Sequence, residues 1–332
     1  MADLAFAIGD IEGCDDLLDK MEDRIATLLT SINAKQPIVV TLGDYVDRGP
    51  ESCAVVERLR LKTFAGIPCQ SIIGNHDLWF VRAISMFKAN DPSWRKWLRD
   101  DTFATIRSYG VAVPDNVMAS ELKAASMMRE FVESVPDEHI KFITKDCVPI
   151  YHSAGTLFVH AGLNPAYTIN SQGLEDCVNG VKTFFTTEKN FGAPVCVGHT
   201  VRQIPYLNPS KSIMGVDTGA HTFGILTGAI ISQARGLFQF FAVCNMKRST
   251  VFVIIDDPDM PILAIAPFVM WWRDVLSSTD TKPFLVFSDK ERLNTFAQKV
   301  GITKANVVRS TSAIKDGNAR FMSINPMKRI GQ

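Results

Sequence analysis

The chain has 332 residues, 46% of them hydrophobic and 21% charged, the balance of a soluble globular protein and not of a disordered one. Lysine plus arginine equals aspartate plus glutamate at 35 each, so no basic excess points to nucleic acid or to an anionic membrane as partner. That length accommodates one large α/β domain with an appendage, or two domains. The seven cysteines are scattered singly and form no CxxC pair, which excludes a complete disulfide framework and suggests reduced thiols in a cytoplasmic compartment. No basic stretch precedes an apolar core at the N-terminus, so no signal peptide is expected. The most membrane-like stretch, "VFVIIDDPDMPILAIAPFVMWW", is broken by Asp256, Asp257, Asp259, Pro258, Pro261 and Pro267 into runs too short to span a bilayer.

From the N-terminus, "LAFAIGD" reads as a buried strand, and the following segment sets Leu17, Leu18, Met21, Ile25, Leu28, Leu29 and Ile32 on one helical face. "PIVVTLGD" reads as a second strand, "ESCAVVERLRLKTFAG" as a helix and "PCQSIIGNHD" as a third strand. Strand–helix–strand order implies right-handed βαβ crossovers, so the polar groups that end these strands share one edge of the sheet. Residues from about 90 to 145 are helical in pattern and carry no evident chemistry, the expected wall or lid of a site. Two strands joined at Ser153-Ala154-Gly155 follow in "VPIYHSAGTLFVHAGL", with further strands in "PVCVGHT", "SIMGVDTGA" and "FGILTGAIIS". Past about residue 240 the character shifts to a strand, a helix, a strand and a polar tail from Thr311, an accessory module. In it the apolar "FVMWWRDVL" is expected to pack on the preceding domain, because large apolar side chains are usually buried.

The strand ends gather Asp10, Glu12, Asp44, Asp47, Arg48, Asn75, His76, His160 and His199, with glycines beside nearly all of them. A lone Gly-Asp is a turn more often than a site, and His139, His152 and His221 are read as ordinary structural or surface histidines. The joint occurrence, each cluster at the end of an apolar run, is what points to chemistry. Two adjacent divalent cations need roughly five or six protein ligands of mixed oxygen and nitrogen type, one of them bridging, and this set provides them.

"GDIEG", "GDYVDRG", "GNHD", "VHAGL" and "GHT" resemble the calcineurin-like metallophosphoesterases, specifically the phosphoprotein phosphatase branch, over about residues 4 to 232. That branch includes serine/threonine protein phosphatases and bacterial diadenosine tetraphosphatases. The resemblance implies an α/β fold, a sandwich of two mixed β-sheets flanked by helices. The catalytic domain is then 1–242, with the helical insertion at about 90–145, and 243–332 is an accessory α/β module of unknown role. It implies two divalent metal ions: Asp10 and Glu12 on the first, Asp44 bridging, and Asn75, His160 and His199 on the second. Arg48 would clamp a phosphate oxygen, His76 would protonate the leaving alkoxide, Asp47 would orient it, and a metal-bridging hydroxide would attack phosphorus.

Two positions depart from the family pattern. Histidine is usual where this chain has Glu12. A glutamate ligand would move metal preference toward manganese or magnesium and away from iron or zinc, whereas a degraded ligand would make a phospho-binding pseudo-phosphatase. Lys182 stands where many bacterial members have a second phosphate-binding arginine, and it keeps the charge without the bidentate fork. The expected activity is that of a serine/threonine-type protein phosphatase on a phosphoprotein, because the diadenosine tetraphosphatases tend to have alanine at the position of Asp47. The alternative is hydrolysis of dinucleoside polyphosphates or other small phosphoesters.

Overall fold

The computed structural model describes residues 2–208, 212–245, 251–255, 267, 269–278, 284–286, 290–301, 306–307 and 319–323. The chain begins with β1 (Leu4–Ile8), α1 (Asp15–Ser31), β2 (Pro37–Thr41), α2 (Ser52–Leu59), β3 (Thr63–Phe64) and β4 (Ile67–Ser71). Every residue of β1 is buried, as a continuous apolar run in a central strand requires. The alternation of its side chains divides the core. Leu4, Phe6 and Ile8 join the helices of one face, while Ala5 and Ala7 join the cluster that contains Phe158, Cys196 and Met214 of the second sheet.

The helix expected over 51–66 ends at Leu59. Lys62 takes φ +58°, and Ala65 and Gly66 take φ +52° and +74°, the two consecutive left-handed residues of a tight hairpin. Thr63 and Phe64 therefore fold back antiparallel on Pro68 and Ile67. Phe64 is buried by this turn, and that burial outweighs the helical preference of its neighbours.

The insertion is helical, with α3 (Asn75–Lys88), a 3₁₀ turn at Pro92–Lys96, α4 (Asp100–Ser108), α5 (Glu121–Ser134) and α6 (Asp137–Lys141). Phe80, Trp97, Tyr109 and Phe131 hold these helices together, with ring centroids 5.5–6.1 Å apart. The chain continues through β5 (Ile150–Ser153), β6 (Thr156–Val159), α7 (Leu174–Asn179), β7 (Val195–Val197), β8 (Tyr206–Asn208), β9 (Ile213–Gly215) and α8 (Ala220–Phe223). Then β10 (Ile225–Ser232) and β11 (Leu237–Cys244) return to the first sheet.

Two mixed sheets face each other, one ordered β11-β10-β1-β2-β4-β3 and the other β5-β6-β7-β9-β8. In the first, β1, β2 and β4 run parallel and β10 lies antiparallel to β1. In the second, β6, β7 and β9 run parallel. The carboxyl ends of the parallel strands of both sheets carry the polar clusters.

Beyond these, β12 (Val251–Ile255), α9 (Val269–Ser277), β13 (Phe284–Val286), α10 (Lys290–Val300), β14 (Asn306–Val307) and β15 (Ala319–Ser323) include a parallel sheet of order β14-β13-β12-β15. As expected of "FVMWWRDVL", Trp271, Trp272 and Val275 of α9 enter the core beside β10 and β11. Burying a large apolar side chain stabilises by about 1.5–3 kcal/mol. The Trp271 Nε1–H also donates to Thr227 Oγ1 at 2.8 Å, so the buried indole leaves no polar atom unpaired. The interrupted apolar stretch at 256–266 and the polar tail from 311 to 318 lie outside the described residues. Among the described residues, no helix is long and apolar enough to cross a membrane.

Candidate active site

The predicted residues converge. Asp10 and Glu12 follow β1, Asp44, Asp47 and Arg48 follow β2, and Asn75 and His76 open α3, while His160 and His199 follow β6 and β7. Glu12, Asp44, Asp47, Arg48 and His199 all have positive φ, between +49° and +72°. A left-handed residue other than glycine costs about 1–2 kcal/mol, so five together persist only where their surroundings over-determine them. Those surroundings are explicit. Glu12 N–H donates to Asp44 O at 2.8 Å, Gly49 N–H to Glu12 O at 2.8 Å, and Arg48 N–H to Asp101 O at 2.7 Å. Two glycines permit the approach, since a Cβ on Gly74 would collide with Asp44 Oδ1 and one on Gly198 with Asp10 Oδ1.

On one side of Asp44, imidazole nitrogens and side-chain oxygens crowd together. His160 Nδ1–H donates to the Leu42 carbonyl at 2.7 Å, which leaves Nε2 with a lone pair turned inward. That Nε2 lies 3.0 Å from Asn75 Oδ1, 3.2 Å from His199 Nδ1 and 3.4 Å from Asp44 Oδ1. His199 Nδ1 is 2.9 Å from the same Asn75 oxygen. Asp44, His160 and His199 each offer a ligand atom, all within 4.8 Å of one another. An oxygen–nitrogen set of this kind, converging on one point, fits a divalent cation. Although burial disfavours its charge, Asp44 is held well below the usual carboxylate range by His160 and His76. Asp10 is pushed upward by burial and then by the nearby Asp217 and Asp44 charges, and Asp217 is pushed up to about 6, chiefly by burial. For Asp10 and Asp217 the influence of Arg48 does not offset burial and carboxylate crowding, which again fits a cation.

Beside them lies a buried histidine–aspartate pair. His76 Nδ1 is 2.7 Å from Asp47 Oδ2, and both residues are buried. Burial opposes the imidazolium, but Asp47 and Asp44 outweigh it and raise the His76 pKa. The other ring nitrogen, Nε2, lies 3.4 Å from Arg48 Nη2. Glu12 was expected on a cation with Asp10. Here its carboxylate is buried and forms an ion pair with the Arg48 guanidinium, and neither oxygen has a hydrogen-bond partner among the described residues. Opposite charges at contact in a site of low dielectric attract strongly, which accounts for the pairing.

The model of the calcineurin-like phosphoesterase family matches residues 6–201. The chain belongs to the calcineurin-like phosphoesterase family. Among its curated relatives, a symmetrical bis(5'-nucleosyl)-tetraphosphatase of Acidovorax ebreus (strain TPSY) is 28% identical over 164 residues, covering 49% of this chain and 45% of that protein. Another, from Shewanella sp. (strain W3-18-1), is 23% identical over 213 residues, covering 64% of this chain and 57% of that protein. The chain spans about half the length of the curated relatives it matches. Of solved structures, a cold-active protein-tyrosine phosphatase of a psychrophile Shewanella has TM-score 0.42 and 14% identity, covering 74% of this chain and 78% of that one.

In this family member, Lys182 is exposed, and no ion pair among the described residues joins it to the converging side chains. His152 and His221 are exposed, while His139 is buried between Tyr109 and Glu57, a satisfied structural histidine. One buried acid went unnoticed in the sequence. Asp77 accepts from the backbone N–H of Asp44, Tyr45 and Gly74, each at 2.9 Å, and so ties the loop after β2 to the start of α3. Its position three residues after Gly74, in the first turn of the helix, was a readable capping signal.

Proposed function

We propose that this member of the family is a metal-dependent phosphoester hydrolase whose substrate is a small phosphoester or phosphoanhydride, a dinucleoside polyphosphate first among them. The observation that carries the reading is the convergence of potential ligand atoms from Asp44, Asn75, His160 and His199, directly beside the His76–Asp47 pair. The curated relatives named as tetraphosphatases favour the small substrate over a phosphoprotein. One specific feature supports the protein-phosphatase reading that the sequence put first. Asp47 is present and bonded to His76, where the tetraphosphatases tend to have alanine.

Asp44, Asn75, His160 and His199 would hold one divalent cation, and Asp10 with Asp44 would share a second, with Glu12 as a further oxygen donor if it leaves Arg48. The oxygen-rich set on the Asp10 side favours manganese or magnesium. When bound, such cations supply Lewis-acid stabilisation of phosphoryl oxygens and acidify water. Arg48 binds a non-bridging phosphate oxygen. As a water oxygen bonds to phosphorus and the phosphorus–oxygen bond to the leaving group breaks, His76 hands a proton from Nε2 to the departing oxygen, and Asp47 fixes the ring so that Nε2 faces the substrate. Lys182 is assigned at most a peripheral contact with the anion. Residues 1–242 form the catalytic domain in this reading, and 243–332 an accessory module.

The test is hydrolysis of an aryl phosphate, diadenosine tetraphosphate and a phosphoserine peptide by metal-stripped protein refilled with manganese, magnesium, zinc or iron. Turnover of the dinucleotide well above the peptide supports the proposal. The reverse order restores the phosphatase reading, and inertness with every cation points to a phospho-binding scaffold.

A further inference from the structure

The helical insertion, which the sequence offers only as a wall or lid, reaches the proton-transfer pair from behind. Asp47 uses Oδ2 for His76. Its other oxygen, Oδ1, accepts from Thr105 Oγ1 of α4 at 2.8 Å, across 58 positions of sequence. The Asp47 N–H donates to the same Thr105 hydroxyl at 2.8 Å, and Ser52 Oγ lies 3.0 Å from it. Thr105 and Ser52 are both fully buried.

The hydroxyl has one proton and two lone pairs. An ionised Asp47 can only accept, so the Thr105 proton goes to Oδ1, and its lone pairs meet the Asp47 N–H and the Ser52 hydroxyl. All three bonding positions are then committed, and no rotation of the hydroxyl satisfies a different arrangement equally well. Asp47 stands at φ +72° and is followed by Arg48 at φ +65°. Neither has intrinsic reason to stay there, and α4 also clamps the second through Asp101 O.

We propose that Thr105 is a positioning residue for the general acid. It fixes the Asp47 carboxylate so that Oδ2 receives the Nδ1–H of His76 and the opposite ring nitrogen carries the proton given to the leaving group. α4 is therefore a support of the reaction, and its contacts with the loop after β2 make the insertion necessary for the proton transfer. This inference rests on the phosphoesterase reading above.

Leaving groups separate the two. An acid matters when the departing oxygen is basic and little when it is already a stable anion. With the full chain and manganese, Thr105→Val is compared with wild type on phenyl phosphate and on 2,4-dinitrophenyl phosphate. General acid catalysis contributes about 10²–10⁴-fold, and mispositioning forfeits part of that. The expected result is a fall in kcat of about tenfold or more on the phenyl ester and less than about twofold on the dinitrophenyl ester, with KM unchanged. Thr105→Ser, which keeps the hydroxyl, restores most of the lost rate. Thr105→Ala carries the same expectation if valine disturbs the packing, with thermal denaturation reporting the fold of each. Equal losses on both esters, a change in KM alone, or no loss would overturn the inference and leave the phosphoesterase reading standing. A wild type inert on both esters with every cation would instead sink that reading, and this inference with it.

Discussion

The two flanks of Asp44 are built from different residue types and end in different pairings. On the histidine flank, Asn75 Oδ1, His160 Nε2 and His199 Nδ1 lie within 3.2 Å of one another and have only imidazole protons to share. On the glutamate flank, Glu12 already has a cation, the Arg48 guanidinium. The difference teaches that a carboxylate at a ligand position has two kinds of cation to choose from, because an arginine of the chain competes with a metal ion for it. A buried carboxylate pairs with whatever positive charge the fold brings nearest, and here the fold brings an arginine from the adjacent loop.

Removing the residue common to both flanks should have the largest effect. Asp44→Asn, measured on an aryl phosphate with manganese, is expected to lose about a thousandfold or more in kcat, since metal stabilisation of the transition state is worth several kcal/mol. Activity above a tenth of wild type would break the comparison at its hinge. Next, His160→Gln is expected to weaken divalent binding, read by calorimetry on metal-stripped protein, by about 10–100-fold. Unchanged affinity would mean that the converging acceptors do not hold a cation.

Glu12→Gln sharpens the comparison from the other side. If Glu12 serves Arg48, the variant keeps the number of bound cations and binds inorganic phosphate about tenfold more tightly, because the guanidinium loses its internal competitor, a change near 1.4 kcal/mol. Loss of one bound manganese would put Glu12 on the metal, as the family position suggests.

The smallest effect is a control far from both flanks. Glu57 is held down to about 2 by Arg60 first and then by His139. A depressed folded pKa means stability that is present above the unfolded value of 4.5 and lost as pH falls toward 2. Because Glu57 is largely exposed, solvent screening limits this to below about 1 kcal/mol. Glu57→Gln should lower the urea midpoint slightly at pH 7, converge with wild type on acidification, and leave metal binding unchanged.

Much of the frame was readable in advance. The apolar runs 4–8, 37–41, 67–71, 156–159 and 195–197 became strands, and each delivers its polar cluster at its carboxyl end. The segment 51–66 misled because its helical pattern is continuous, whereas burial of Phe64 and the left-handed pair at Ala65 and Gly66 turn the chain back. Thr105 went unseen because a threonine in an amphipathic helix carries no pattern. Its meaning lies in a hydrogen bond to Asp47 that spans 58 positions.

By itself, then, the sequence determined which residues gather and at which edge. Strand period, glycine turns and the fixed hand of βαβ crossovers are local rules, and together they carry Asp10, Asp44, Asn75, His160 and His199 to one place. Only the tertiary structure decided the pairings within that place: Glu12 with Arg48, Asp47 with Thr105, and Trp271 with Thr227. Such choices depend on which partner is nearest once the core has closed, and on the high cost of leaving a buried charge or hydroxyl without one, neither of which any stretch of sequence records.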